Sequence, residues 1–97
     1  MSEGIVARRF VVTGRVQGVG YRDFVEHLAN KNGIDGYVRN LRDGSVEVFA
    51  MGTPENLYKL RKGLEKGPMM ARVSGVAEEP SAVESRHQGS FTIEFTD

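Results

Sequence analysis

ARRFVVTGRVQGVGYRDFVEHLANKNG, residues 7–33, changes its hydrophobic period in the middle, and that change decides the fold. From Ala7 to Thr13 the pattern has a period of two, with Phe10 and Val12 on one side and Arg9, Val11 and Thr13 on the other. This predicts a half-buried strand. From Tyr21 to Asn32 the apolar positions Tyr21, Phe24, Val25, Leu28 and Ala29 fall at i, i+3, i+4, i+7 and i+8. That spacing predicts a helix with one buried stripe, and Gly33 is placed to close it as a left-handed cap. Between them, Gly14 to Arg22 packs three glycines and two arginines into nine positions. Glycine lets successive backbone N–H groups turn toward one oxyanion. The helix start adds the positive end of its dipole, and Arg22 offers a planar fork matched to phosphate.

Outward from this segment, Ile34 to Leu41 and Ser45 to Met51 are two strand candidates joined across Asp43 and Gly44, a pair suited to a hairpin turn. Thr53 before Pro54 marks a helix start, Leu57, Leu60 and Leu64 supply its buried stripe, and Gly67 with Pro68 stops it. Gly63 inside that helix costs about 1 kcal/mol relative to alanine, and the sequence shows no reason for it. Arg72 to Ala77 reads as a weaker strand, Glu78 to Gly89 as a polar stretch, and Phe91, Ile93 and Phe95 alternate as a final strand. The order is βαββαβ with an additional C-terminal strand. It predicts an α+β, ferredoxin-like α/β sandwich: a mostly antiparallel sheet with two helices on one face and the other face partly wet.

With 97 residues and 10.7 kDa, the chain is expected to form one domain over 1–97. A composition of 39% hydrophobic and 27% charged residues is that of an ordinary globular chain rather than a disordered one. No apolar run approaches the roughly 18 residues a spanning helix needs. Met1 to Gly4, with acidic Glu3, offers no signal-peptide core, so a cytoplasmic location is expected. The chain has no cysteine, which excludes disulfides, thiolate zinc sites and cysteine nucleophiles. A formal net charge of zero gives no overall reason to expect nucleic-acid or membrane binding. The N-terminal stretch is less even: Arg8, Arg9, Arg15, Arg22, Lys31, Arg39 and Arg42 outnumber Glu3, Asp23, Glu26 and Asp35. A small anion is drawn there.

Spacing narrows the anion. Gly14, Gly18 and Gly20 do not form G-x-G-x-x-G, and no Gly-Lys-Ser/Thr follows, so neither a dinucleotide fingerprint nor a nucleotide P-loop is present. Arg22, taken alone, is also compatible with a solvated helix residue, but at the first turn it can close an oxyanion held by the backbone. Asn40 is compatible with a turn-former near Asp43 and Gly44; its amide, which both donates and accepts, can equally hold a water. His27 reads as solvated, and neither it nor His87 has a second ligand at metal spacing. Met69 and Met70 read as core or loop filler, and Glu78 and Glu79 as a solvated strand end. No acid/base pair stands out. Phosphoryl transfer asks mainly for positioning and charge stabilisation, and a carboxylate leaving group, whose acid has a pKa of about 4 to 5, departs without a proton donor.

The run from Gly14 to Arg22 resembles the first signature of the acylphosphatases, small enzymes that hydrolyse the mixed anhydride of a carboxylic acid and phosphate. Gly36, Tyr37, Val38, Arg39 and Asn40, followed by Gly44, Val46 and Gly52, are similar to the second. The resemblance extends from about Ala7 to the C-terminus, with Tyr21 where the family commonly has phenylalanine. It implies that Arg22 is the phosphate-binding catalytic arginine and Asn40 the residue that orients water. The amides of Arg15, Val16, Gln17, Gly18, Val19 and Gly20 would hold the phosphoryl oxygens with Arg22. It further implies a small-molecule acyl phosphate as substrate, inorganic phosphate as product and inhibitor, and a monomer that uses no metal, no cofactor and no covalent intermediate, with neither nucleic acid nor membrane as a partner. The competing expectation, by fold analogy alone, is a binding module that uses the open sheet face for RNA or protein. An RNA sheet wants aromatics and a basic surface, whereas the third strand offers only Phe49.

Overall fold

The alternation of residues 7–13 becomes the strand β1 (Val6–Arg15), and the period change beyond it becomes the helix α1 (Tyr21–Lys31), in a computed structural model that describes residues 4–96. Of the stretch Met1 to Gly4 from which an expectation was drawn, Met1 to Glu3 lie outside the described residues. The hairpin follows as β2 (Asp35–Asn40) and β3 (Val46–Gly52), then α2 (Pro54–Lys66), β4 (Arg72–Ser81), one 3-10 turn at Ser85–His87, and β5 (Phe91–Ile93). One five-stranded sheet has the order β4-β1-β3-β2-β5. Its pairs are antiparallel except β2 with β5, which run parallel. The expected α/β sandwich is present, with both helices packed on one face. No helix among the described residues is long and apolar enough to cross a membrane.

On the helix side, Phe10 and Val12 of β1, Val38 of β2 and Val48 and Ala50 of β3 meet Val25, Ala29, Leu57, Leu60 and Leu64 in one buried cluster. Each fully buried leucine contributes about 2 kcal/mol by removing apolar surface from water. At the start of α2 the Thr53 hydroxyl oxygen accepts from the Asn56 amide at 3.2 Å, and Pro54 occupies the first helical turn, where its missing N–H costs nothing. The helices also explain Gly63. A Cβ there would stand 2.3 Å from Leu28 Cδ2, so glycine is what lets α2 lie against α1.

The opposite face is partly wet, as expected, along β4, but dry at its centre. β3 is buried along its whole length. Phe49 and Tyr37 stack with ring centroids 5.5 Å apart, and His87 covers them at 5.7 and 5.1 Å. Beside this cluster Glu47, also buried, bridges Arg9 at 2.5 Å and Arg39 at 2.6 Å.

Two local expectations change. β4 does not end at Ala77 but continues through Glu78 and Glu79, because arginines on neighbouring elements neutralise both carboxylates: Arg8 and Arg61 reach Glu78 at 3.3 and 2.8 Å, and Arg9 reaches Glu79 at 3.1 Å. β5 stops at Ile93, leaving Phe95 exposed. Of the two readings open for Met69 and Met70, core or loop, the loop is the one found: both are exposed.

Candidate active site

β3 sits between β1 and β2, and its first residue fixes where their ends lie. Val46 pairs with Val12 on one side and with Asn40 on the other. Asn40 therefore stands level with Val12, two strand spacings of about 4.8 Å away. Three residues beyond Val12, β1 ends and the glycine-rich turn begins. The sheet register thus carries Asn40 to the same end of the molecule as Arg22.

The turn is held from both ends. Val16 is fully buried in the core. Tyr21, at the first turn of α1, is also buried, and its hydroxyl donates to Leu64 O at 2.7 Å. That carbonyl belongs to the last turn of α2, whose final carbonyls lack helical partners. Burial pushes the Tyr21 phenol well above its ordinary value, so it remains a donor. Between these anchors Gly18 and Gly20 adopt φ of 72° and 77°, a left-handed conformation that side chains rarely tolerate. A Cβ on either would meet nothing within 4 Å, so the requirement is conformational rather than steric. Gly20 caps α1 without a side-chain bond. Among the described residues, no backbone carbonyl accepts from the amides of Gln17, Gly18, Val19 or Gly20.

These elements enclose a recess of about 140 Å³ lined by Val16, Gly18, Gly20, Tyr21, Arg22, Asp23 and Asn40. One water in the liquid occupies about 30 Å³, so the recess has room for a small anion and a water beside it. The sequence places Arg22 and Asn40 in separate motifs, and the fold brings them into one recess. Arg15, Gln17 and Val19 do not line it. Asp23, which carried no expectation, does. The Arg22 guanidinium makes one long contact, 3.4 Å to Glu94 O, and no carboxylate among the described residues pairs with it. Asn40 Oδ1 is buried and has no hydrogen-bond partner among the described residues. Such an orphaned acceptor costs about 1–3 kcal/mol unless a water or ligand meets it.

No group of three or more histidine or acidic side chains among the described residues is placed to ligate a metal. The arrangement offers turn amides without a backbone acceptor among the described residues, one guanidinium and one unsatisfied amide oxygen. It is suited to holding a tetrahedral oxyanion on one side while positioning a water on the other.

The family model described as acylphosphatase matches residues 8–93. The acylphosphatase of Koribacter versatilis (strain Ellin345) is 50% identical over 96 residues, covering 99% of this chain and 86% of that protein. An acylphosphatase structure from Bacillus subtilis superimposes with a TM-score of 0.86 at 33% identity, over 94% of this chain and 99% of its own. One from Coxiella burnetii does so with a TM-score of 0.87 at 33% identity, over 93% of each.

Proposed function

The chain belongs to the acylphosphatase family, and on that premise we propose that the recess hydrolyses the carboxylic–phosphoric anhydride of a small acyl phosphate by direct attack of water on phosphorus. The observation that carries this reading is the buried, unpartnered Asn40 Oδ1 in the same recess as Arg22 and the glycine-rich turn.

Arg22 and the amides of the turn residues that line the recess, Val16, Gly18 and Gly20, hold the phosphoryl oxygens, acting where negative charge is concentrated in the transition state. Asn40 accepts a hydrogen bond from the attacking water and aims its oxygen in line with the bond to be broken. The new P–O bond forms as the bond to the acyl oxygen breaks, and the carboxylate leaves with the electron pair. It needs no proton, because its acid has a pKa of about 4 to 5. The proton released by the water passes to a phosphoryl oxygen, giving inorganic phosphate. A phosphate monoester would have to leave as an alkoxide, for which this recess offers no donor pair. The product occupies the same cradle, so inorganic phosphate competes with substrate. Every residue in this account comes from one chain, so a monomer suffices.

The RNA-binding alternative gains nothing from the fold. Phe49 is buried, stacked against Tyr37 and covered by the tilted His87 ring, so it offers no free platform for a base.

The test is direct hydrolysis of benzoyl phosphate and acetyl phosphate by the purified protein, with and without a chelator, against an Arg22→Ala control. We expect chelator-insensitive turnover that the control lacks. Activity no higher than the control overturns the reading, and tight binding of mixed single-stranded RNA at physiological salt would favour the module instead.

A further inference from the structure

The geometry points to Gln17 as a positioning residue that fixes where Asn40 stands relative to the cradle, an inference that rests on the reading of Asn40 as the group that aims water. Gln17 lies within the glycine-rich turn but does not line the recess. Its side chain runs the other way. Nε2 donates to Leu41 O and to Ser45 O, each at 2.8 Å.

Those two carbonyls sit at the mouth of the β2–β3 hairpin. Leu41 N donates to Ser45 O at 2.8 Å, and Gly44 N donates to Leu41 O at 3.1 Å. Leu41 directly follows Asn40, and Ser45 directly precedes Val46, the ladder partner of Asn40. One carboxamide therefore clamps both legs of the hairpin immediately beyond the pair that carries Asn40. Among the described residues these are the only hydrogen bonds between the turn at 15–20 and the hairpin loop at 41–45. Both partners are acceptors, so the site demands two donors on one nitrogen, which the glutamine amide supplies and a carboxylate does not.

The cradle itself does not depend on this clamp, because Val16 is embedded in the core and Tyr21 is tied to Leu64 O. Releasing Gln17 frees the hairpin end, and with it Asn40, while the phosphate-holding groups stay in place. A misplacement of about 1 Å in a reacting constellation costs up to about 100-fold in rate. Gln17→Ala is thus expected to lower kcat by about 10- to 100-fold, with the inhibition constant of inorganic phosphate changing by less than about threefold. Because Gln17 acts through Asn40, Gln17→Ala combined with Asn40→Ala should be no slower than Asn40→Ala alone, a non-additivity that a general loss of structure would not give.

Gln17→Glu supplies a second, independent readout. Its carboxylate faces two carbonyl oxygens and repels both, whereas its protonated form recovers one donor. Activity relative to wild type should rise as pH falls through the carboxyl range, near 4 to 5. The experiment measures kcat and phosphate inhibition for wild type, the three single variants Gln17→Ala, Gln17→Glu and Asn40→Ala, and the double variant. A normal kcat in Gln17→Ala, an equal loss of kcat and phosphate affinity, additive losses in the double variant, or a pH-independent ratio for Gln17→Glu each overturns the positioning role. If Asn40→Ala is itself fully active, the reading of Asn40 falls first and takes this inference with it; if only Gln17→Ala is normal, the reading of Asn40 stands.

Discussion

Two arginine-bearing regions of the molecule use their charge in opposite ways. On the face away from the helices, Arg9 and Arg39 are both committed to the Glu47 carboxylate, and Arg9 also reaches Glu79. At the cradle, among the described residues, Arg22 has only a long contact to a backbone carbonyl, the amides of Gln17 to Gly20 have no backbone acceptors, and Asn40 Oδ1 is buried without a partner. The first region is internally satisfied and so contributes to stability. The second leaves polar groups unmatched, which lowers stability but reserves them for a ligand. Residue type does not separate the two. What separates them is whether the fold supplies the counter-group.

The largest effect should come from removing the reserved charge. Arg22→Ala is expected to reduce kcat/KM for benzoyl phosphate by about 1000-fold or more and to abolish phosphate inhibition. Arg22→Lys should recover little, since a point charge does not reproduce the fork. Arg9→Ala should leave kcat/KM within about twofold while lowering the melting temperature. Near-normal hydrolysis by Arg22→Lys, or a collapse of activity in Arg9→Ala, would erase the distinction. Next, Asn40→Ala should lower kcat by about 100-fold with phosphate inhibition nearly intact. Because it removes an orphaned acceptor, it should also melt no lower than wild type. A proportional loss of phosphate affinity would make Asn40 a phosphate ligand instead.

The fold was largely legible because local patterns carried it. The period change across residues 7–33, the Asp43–Gly44 turn and the Thr53–Pro54 start each depend on near neighbours in sequence. The cradle and Arg22 were legible for the same reason. That Asn40 joins them depends on Val46 pairing with both Val12 and Asn40, which no spacing reveals. Gln17 was visible only as a contributor of its backbone amide, because its side-chain partners are carbonyls 24 and 28 residues away and carbonyls have no sequence signature. Gly63 had no visible reason because the reason is Leu28 on another helix. Glu78 and Glu79 looked like a strand end because their arginine partners lie on β1 and α2.

Glu47 sharpens the comparison from the satisfied side. Burial works to raise its pKa, but the hydrogen bonds and charges of Arg9 and Arg39 outweigh burial and hold it below its ordinary 4.5. Breaking a buried ion pair by removing one partner costs about 3–5 kcal/mol. Here the Arg9 and Arg39 side chains are 36% and 30% exposed, so water compensates in part and about 2 kcal/mol is expected for Glu47→Ala. Activity should be unchanged. A carboxylate with a depressed folded pKa stabilises above its unfolded pKa and loses that contribution as pH falls through the folded value. Wild type should therefore lose stability below about pH 4.5 more steeply than Glu47→Gln in urea melts. Parallel curves for the two proteins would mean that the arginines do not hold the carboxylate.

The smallest effect tests the one place where the cradle is itself satisfied. Tyr21→Phe keeps the buried ring and removes only the hydroxyl that donates to Leu64 O at 2.7 Å. A neutral intramolecular hydrogen bond contributes about 1 kcal/mol, which corresponds to a melting shift of roughly 4–8 °C in a domain of this size. The ring, the left-handed Gly20 and the buried Val16 remain, so the turn keeps its shape and kcat should stay within about twofold. A phenylalanine there leaves Leu64 O, a last-turn carbonyl of α2, without its donor, so the penalty should appear at the junction of the two helices. Faster amide exchange at the C-terminal end of α2, with the cradle unchanged, is the expected signature. A loss of kcat as large as that of Asn40→Ala would instead show that the hydroxyl holds the cradle in its working geometry.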